Sequence, residues 1–276
     1  MYSRYDSFHL SGQSQITTWQ HEGRDWAACG RFPQAATHEL FTPVTILNLI
    51  TSGRKRMYNG GRVFSLQQGD VFLIPAGTLI SSEILRTSEP FSSINIILPT
   101  HLFPQKKRTS ANTISAGMLD LPVTADWHSL SGQLMKDFNS SSPVSEPQEL
   151  LEKIAHLMSA HPYVTEMLGN TAAHDWPVVM ENLGMGIPET RSLEQLAQLG
   201  HMSVATLKRR FKDIYDKSPM QWVWEMRLQR AALLLRTAAV PINEIAYSTG
   251  FSDLSHFYHQ FKKYFRMTPL QWREAI

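Results

Sequence analysis

A stretch near the C-terminus is written twice. Leu193-Glu-Gln-Leu196-Ala197 and Ile242-Asn-Glu-Ile245-Ala246 place apolar residues in step at an offset of 49, as do Ser203 and Ser252. Further on the offset is 50: Leu207 matches Phe257, Phe211 matches Phe261, Lys212 matches Lys262, Pro219 matches Pro269 and Trp222 matches Trp272. Self-similarity at a fixed period means one supersecondary unit built twice. The extra residue of the second copy is expected just inside its second helix.

Each copy reads as a short helix, a tight turn and a second helix that opens at serine. Ala197 and Ala246 are small enough to let the two helices approach, Gly200 and Gly250 suit the turn, and Ser203 suits an N-cap. That is a helix-turn-helix, in which the second helix is held out to enter the major groove of DNA. With Leu207 and Phe211 facing inward, a rotation of ~100° per residue turns Ala205, Lys208, Arg209 and Lys212 outward. With Phe257 and Phe261 inward, Ser255, Tyr258, His259 and Lys262 point out, flanked by Ser252 and His256.

These side chains have the chemistry for reading a duplex. Arg209 can fork to a guanine edge, hydroxyl and imidazole groups can bond base edges, and Ala205 can touch a thymine methyl. Lys208 can serve bases or backbone. Arg210, Lys212, Lys262 and Lys263 are expected on phosphates, adding salt-dependent affinity without sequence information. Exposed cations are the default on any helix face; their recurrence at matched positions is what favours DNA. Between the copies, Pro219 to Arg236 is continuously helical, and at ~1.5 Å per residue it spans about 27 Å, near the ~34 Å between successive major-groove windows. One chain can therefore cover a two-part, non-palindromic site, and a homodimer would cover a pair of them.

Upstream, short β-rich runs at Val44 to Ile50, Val63 to Leu66, Val71 to Ile74 and Ser92 to Leu98 alternate with turn clusters, which suits a small barrel or sandwich. Gln105-Lys106-Lys107-Arg108 reads as an exposed connection. Leu130, Leu134 and Phe138, then Leu150, Ile154, Leu157 and Met158, mark two amphipathic helices that either cover their own sheet or form a dimer surface. Two domains result: residues 1–171, a β-barrel with added helices, and residues 172–276, an all-α domain with two helix-turn-helix units joined by a linker helix. The second carries 13 basic and 10 acidic residues, the first a net charge of −1, so clustering says more than the sum.

With 42% hydrophobic and 18% charged residues, the composition excludes wholesale disorder. No apolar run is long enough to cross a membrane, and Arg4, Asp6 and His9 sit where a secretory signal would be apolar, so the expected location is cytoplasmic. The single cysteine, Cys29, fits a reducing compartment and reads as a buried inert thiol rather than a redox sensor.

The run from Ile242 to Arg273, with Gly250-Phe-Ser-Asp-Leu-Ser-His-Phe-Tyr-His259 at its centre, resembles the signature of the AraC/XylS family of bacterial transcription regulators, and Arg227 to Leu235 resembles its linker helix. By that resemblance Ala205, Lys208 and Arg209, and Ser255, His256, Tyr258 and His259, occupy base-contacting positions. His201 stands where the first turn usually has glycine, and His259 replaces the usual arginine. Gly69-Asp70 to Ala76-Gly77 resembles a corner of a cupin barrel, the family's usual sensor domain. The resemblance implies an activator that recruits RNA polymerase, controlled at the barrel by a small effector or a regulatory protein, with no cofactor.

Metal-dependent cupins carry a His-x-His cluster, absent here, so His9, His21, His38, His101 and His128 read as structural or surface residues and no metal is expected. The same absence weighs against a cupin enzyme fused to a DNA-binding module, and one cysteine cannot supply the zinc cluster of a DNA-repair methyl acceptor. An adaptor whose barrel binds an anti-activator stays open. Trp26 and Phe41 could line an effector cavity, though core packing is their simpler role. Arg54-Lys55-Arg56, beside Gly53, reads as a solvated hairpin turn, with capture of a carboxylate or other anion as the alternative.

Overall fold

In the computed structural model, alternation along three central strands sorts the N-terminal half into two cores. Residues 3–4, 15–59, 62–76, 78–99, 118–140, 147–161, 164, 179–180, 182–183, 187 and 189–275 are described; the expected domain boundary at 171/172 and the basic stretch 105–108 lie outside them. Strands β5 (Thr45–Ser52), β8 (Val71–Ile74) and β10 (Phe91–Leu98) lie in one sheet. Leu47, Leu49, Val71, Leu73, Ile94 and Ile96 face one core, while Ile46, Ile50, Phe72, Ile74 and Phe91 face the other. Side chains on a strand alternate sides, so a strand buried on both faces reads as one unbroken apolar run.

The sheet has six strands in the order β11 (Leu119–Leu121), β8, β5, β10, β3 (Arg24–Phe32) and β2 (Gln15–His21). A second sheet has five: β1 (Ser3–Arg4), β4 (Ala36–Thr42), β9 (Thr78–Ile84), β6 (Arg54–Asn59) and β7 (Arg62–Gln67). Met57, Phe64, Leu66 and Ile84 from the five-stranded sheet close one core against the six-stranded sheet. The expected barrel is therefore an open pair of sheets among the described residues, not a single closed ring of strands.

Helices α1 (Ala125–Asn139) and α2 (Pro147–Ser159) cover the outer face of the six-stranded sheet with Trp127, Leu130, Leu134, Phe138, Leu150, Leu151, Ile154 and Met158. Trp19 stacks on Phe138 at 3.8 Å. Trp26 belongs to this helix-covered core, not to the space between the sheets. Cys29 is buried there too, 3.9 Å from both Ser92 Oγ and Met135 Sδ, and burial pushes its thiol pKa up.

The C-terminal unit consists of α3 (Leu193–Leu199), α4 (Val204–Tyr215), α5 (Pro219–Thr237), α6 (Ile242–Ser248), α7 (Leu254–Phe265) and α8 (Pro269–Glu274). Its central helix α5 lies against β9 and β6 on the outer face of the five-stranded sheet. Phe41, instead of lining a cavity, meets Trp222 edge-on at 6.1 Å in the core of the first repeat. Tyr215 donates to the Ala76 carbonyl at 3.2 Å. The Arg236 guanidinium lies 5.0 Å from the Tyr58 ring and 4.4 Å from the Trp272 ring, so one cation touches a sheet and the last helix together. Tyr58 in turn donates to Glu83 at 2.9 Å.

Candidate nucleic-acid interface

The two copies differ in their turns. Four residues separate α3 from α4 and five separate α6 from α7, so the extra residue lies in the second turn and not inside its second helix. The turns begin alike: Met202 N–H bonds the Ala197 carbonyl at 3.0 Å, and Phe251 N–H bonds the Ala246 carbonyl at 3.1 Å. The second turn then adds Ser252, and Asp253 accepts from His256 N–H at 2.6 Å as the N-cap of α7. Ser203 fills that place in α4, accepting from Thr206 N–H at 3.1 Å. Both carboxylate and hydroxyl satisfy a free N–H of the first helical turn.

The left-handed residue of the first turn is His201, with φ of 51°, and its counterpart is Gly250, with φ of 95°; Gly200 has an ordinary φ of −81°. A side chain in this region carries a steric cost that glycine avoids. His201→Gly is therefore expected to raise unfolding free energy by roughly 0.5–1 kcal/mol, read from the urea midpoint of the full chain.

Each second helix is then anchored by two aromatic or aliphatic side chains and a tryptophan. Leu207 and Phe211 are fully buried in α4, and Trp222 meets Phe211 at 5.6 Å. Phe257 and Phe261 are fully buried in α7, with Trp272 6.1 Å from Phe261. Ser218 and Thr268 cap the helices that carry these tryptophans, accepting from Gln221 N–H and Gln271 N–H at 3.2 Å. Trp272 donates to the Ala232 carbonyl at 3.0 Å and Arg273 to the Val240 carbonyl at 2.6 Å, which fastens α8 to the far end of α5.

Opposite these anchors, Ala205, Lys208, Arg209 and Lys212 are exposed on α4. Arg210 is half-buried and has partners of its own. Lys212 pairs with Asp216 one turn on, so a phosphate would have to compete with that carboxylate. On α7, Ser255, His256, His259, Lys262 and Lys263 are exposed. Tyr258 is half-buried, edge-on to Phe257 at 5.9 Å, and His256 stands edge-on to Trp224 of α5 at 5.2 Å. The two exposed faces differ in chemistry: one offers a guanidinium and ammonium groups, the other hydroxyl and imidazole groups beside the ammonium groups of Lys262 and Lys263.

What the sequence did not single out is Arg227. It lies in α5 and is 1% exposed. Its Nε and Nη2 donate to the Ile187 carbonyl at 3.2 and 2.8 Å, Nη2 also reaches the Thr190 carbonyl, and Nη1 donates to the Gly250 carbonyl at 3.1 Å. One side chain thus ties the approach to the first unit to the turn of the second. Among the described residues no three His, Cys, Asp or Glu side chains converge as a metal site, and no helix is long and apolar enough to cross a membrane.

Residues 196–275 match a helix-turn-helix domain family. The chain is 36% identical over 83 residues to the HTH-type transcriptional regulator MtrA of Neisseria gonorrhoeae, covering 30% of this chain and 28% of that protein. It is 22% identical over 260 residues to the HTH-type transcriptional activator RhaR of Salmonella dublin, covering 88% of this chain and 89% of that one. Among solved structures, ToxT K231A from Vibrio cholerae aligns with 96% of this chain and 98% of its own at 14% identity and a TM-score of 0.43. The matches with 33–36% identity span no more than about a third of this chain and 30% of each relative. These relatives are named as transcription regulators, not enzymes. With its duplicated capped units and this match, the segment 196–275 is a helix-turn-helix domain similar in sequence to parts of known transcription regulators.

Proposed function

We propose that this chain is a sequence-specific regulator that binds double-stranded DNA through both repeats and acts as an activator by recruiting RNA polymerase in the cytoplasm. The observation that carries the reading is the pair of exposed polar faces on α4 and α7, each backed by a fully buried aromatic anchor and joined through one rigid helix. In this reading Ala205, Lys208, Arg209, Ser255, His256, Tyr258 and His259 contact bases. Lys212, Lys262, Lys263 and, with the smallest share because it is half-buried, Arg210 contact phosphates.

Residues 1–171 act as the sensor, a cupin-like domain that has opened into two sheets, and residues 172–276 as the DNA-binding domain. The sensor is controlled by a small effector, and its contact with α5 is the route by which occupancy would reach the reading helices. Activation follows the RhaR likeness over most of the chain. A homodimer would double the site. An adaptor held by an anti-activator uses the same contact between sheet and α5, and it is distinguished by a stoichiometric protein partner on purification.

The test compares two alanine variants on duplexes selected in vitro for tight binding. Arg209→Ala should cost ~1–3 kcal/mol on the selected duplex and relax discrimination at the contacted base pair. Lys262→Ala should weaken selected and random duplexes alike and lower the salt slope by about one. Equal losses on both duplexes for Arg209→Ala would remove its assignment to a base.

A further inference from the structure

The run Arg54-Lys55-Arg56 is not a hairpin turn. It forms the start of β6, so its side chains alternate across the five-stranded sheet. Arg56 pairs with Glu83 at 3.7 Å on the outer face, beside the hydrogen bond from Tyr58 to Glu83. Lys55 belongs to the other face, with Met57 two residues on and Ile84 directly across in β9. Both of those are core residues between the sheets.

The register brings two further polar groups to this inner face. His38 of β4 lies opposite Ser82 of β9, which in turn lies opposite Met57 of β6. Ser82 is fully buried and its hydroxyl has no hydrogen-bond partner. From the facing sheet, the Phe91 ring lies 5.5 Å from the Lys55 ammonium, Phe32 meets His38 edge-on at 5.2 Å, and the two phenyl rings are 6.0 Å apart. Lys55 has no carboxylate partner among the described residues.

This combination is costly as it stands. An ammonium withdrawn from water needs an opposing charge or a full set of acceptors, and a buried hydroxyl without a partner loses the hydrogen bonds it had in water. Burial brings the Lys55 pKa down to about 8, which leaves it a cation at neutral pH. Burial first, and Lys55 second, bring His38 down to about 4, so its imidazole is neutral and can donate one N–H. Ammonium, imidazole N–H and hydroxyl are all donors and the phenyl rings beside them are apolar; Lys55, His38 and Phe32 are half-buried, while the Ser82 hydroxyl is fully enclosed behind them.

We propose that Lys55, His38 and Ser82 form the head-group site for an organic carboxylate whose apolar body lies against Phe32 and Phe91. The inference rests on the effector reading above and names its chemical class. A carboxylate accepts from all three donors and neutralises Lys55, which has no carboxylate partner among the described residues, whereas an alcohol of the same shape supplies no charge.

The probes are octanoate and benzoate, with octanol and benzyl alcohol as uncharged counterparts, added to the full-length chain in thermal unfolding and titration calorimetry. Either carboxylate should raise Tm in a saturable way, and Lys55→Met should weaken its binding by ~10-fold or more, in keeping with the loss of a charge-assisted hydrogen bond. Lys55→Met removes an unpaired cation, so it should fold at least as well as the parent, and Ser82→Ala offers a second, milder variant. Failure of both carboxylates to bind, or equal binding by parent and Lys55→Met, overturns the proposal. Tight binding of the alcohols in place of the acids also overturns it while leaving effector control standing. A stoichiometric protein partner with no response to any of the four compounds overturns effector control itself.

Discussion

Replacing Arg227 with methionine will cost about 3–5 kcal/mol of stability, the range for removing one partner of a buried charged hydrogen-bond network. Three carbonyls, of Ile187, Thr190 and Gly250, lose their guanidinium donors, and methionine has none to offer. The aliphatic volume is nearly kept, so the loss reports hydrogen bonding and charge rather than a cavity. Trp224, 5.0 Å from the cation, loses that contact as well. Arg227→Lys keeps the charge but concentrates its donors at a single point, and a fork that reaches three carbonyls in different directions cannot be replaced that way. It should recover only part of the loss. Urea unfolding of the full chain reads both variants, and the methionine variant unfolding within 1 kcal/mol of the parent would show that these bonds do not hold the two units together.

Arg227 also marks where sequence reading stops. Its helix is buried on nearly every side, so it has no polar face against which an inward arginine stands out, and beside Arg230 and Arg236 in the same helix it looks like the others. The repeat was legible for the opposite reason: Leu207, Phe211, Phe257 and Phe261 recur at helical spacing beside exposed cations, and all four are fully buried. Turn details were less legible. Ser252 and Asp253 are both good N-caps, and only the backbone shows that Asp253 takes the place. Gly200 and Gly250 were both read as turn glycines, but it is His201, standing where the first turn usually has glycine, that shares the left-handed conformation of Gly250.

In the N-terminal half the apolar runs of β5, β8 and β10 were visible one by one. Their partition into two open sheets was not, because β4 pairs with β9 across 36 to 48 residues and β3 with β10 across 59 to 69, and local pattern carries no record of such partners. The same long-range pairing hid the inner face. Only once β4, β6 and β9 lie side by side do His38, Lys55 and Ser82 share a surface. The outer face is where Arg236 bridges Tyr58 and Trp272, so strands that would hold an effector also touch the helix that carries both reading units.

Inserting about five base pairs between the two halves of a selected duplex rotates one half to the opposite side of the helix, and we expect affinity to fall to that of a single unit. Specific binding exceeds non-specific binding by ~4–10 kcal/mol in typical complexes, so losing one of two comparable halves corresponds to ~2–5 kcal/mol, or roughly 30-fold to several-thousand-fold in Kd. Rigidity is the reason for so large an effect. The connection is a 19-residue helix capped by Ser218 and opened by Pro219. Its far end is held by Trp272 and Arg273, and Arg227 pins its middle to both units. Such a rod, about 28 Å long, has no hinge with which to follow a displaced half-site. Inserting a full turn, about ten base pairs, restores the face but not the distance and should fail as well. Fluorescence anisotropy at fixed salt separates the possibilities: a ten-base-pair insertion that binds like the parent duplex would mean that the two units move independently, and the tandem reading of a two-part site would fall with the rigid rod.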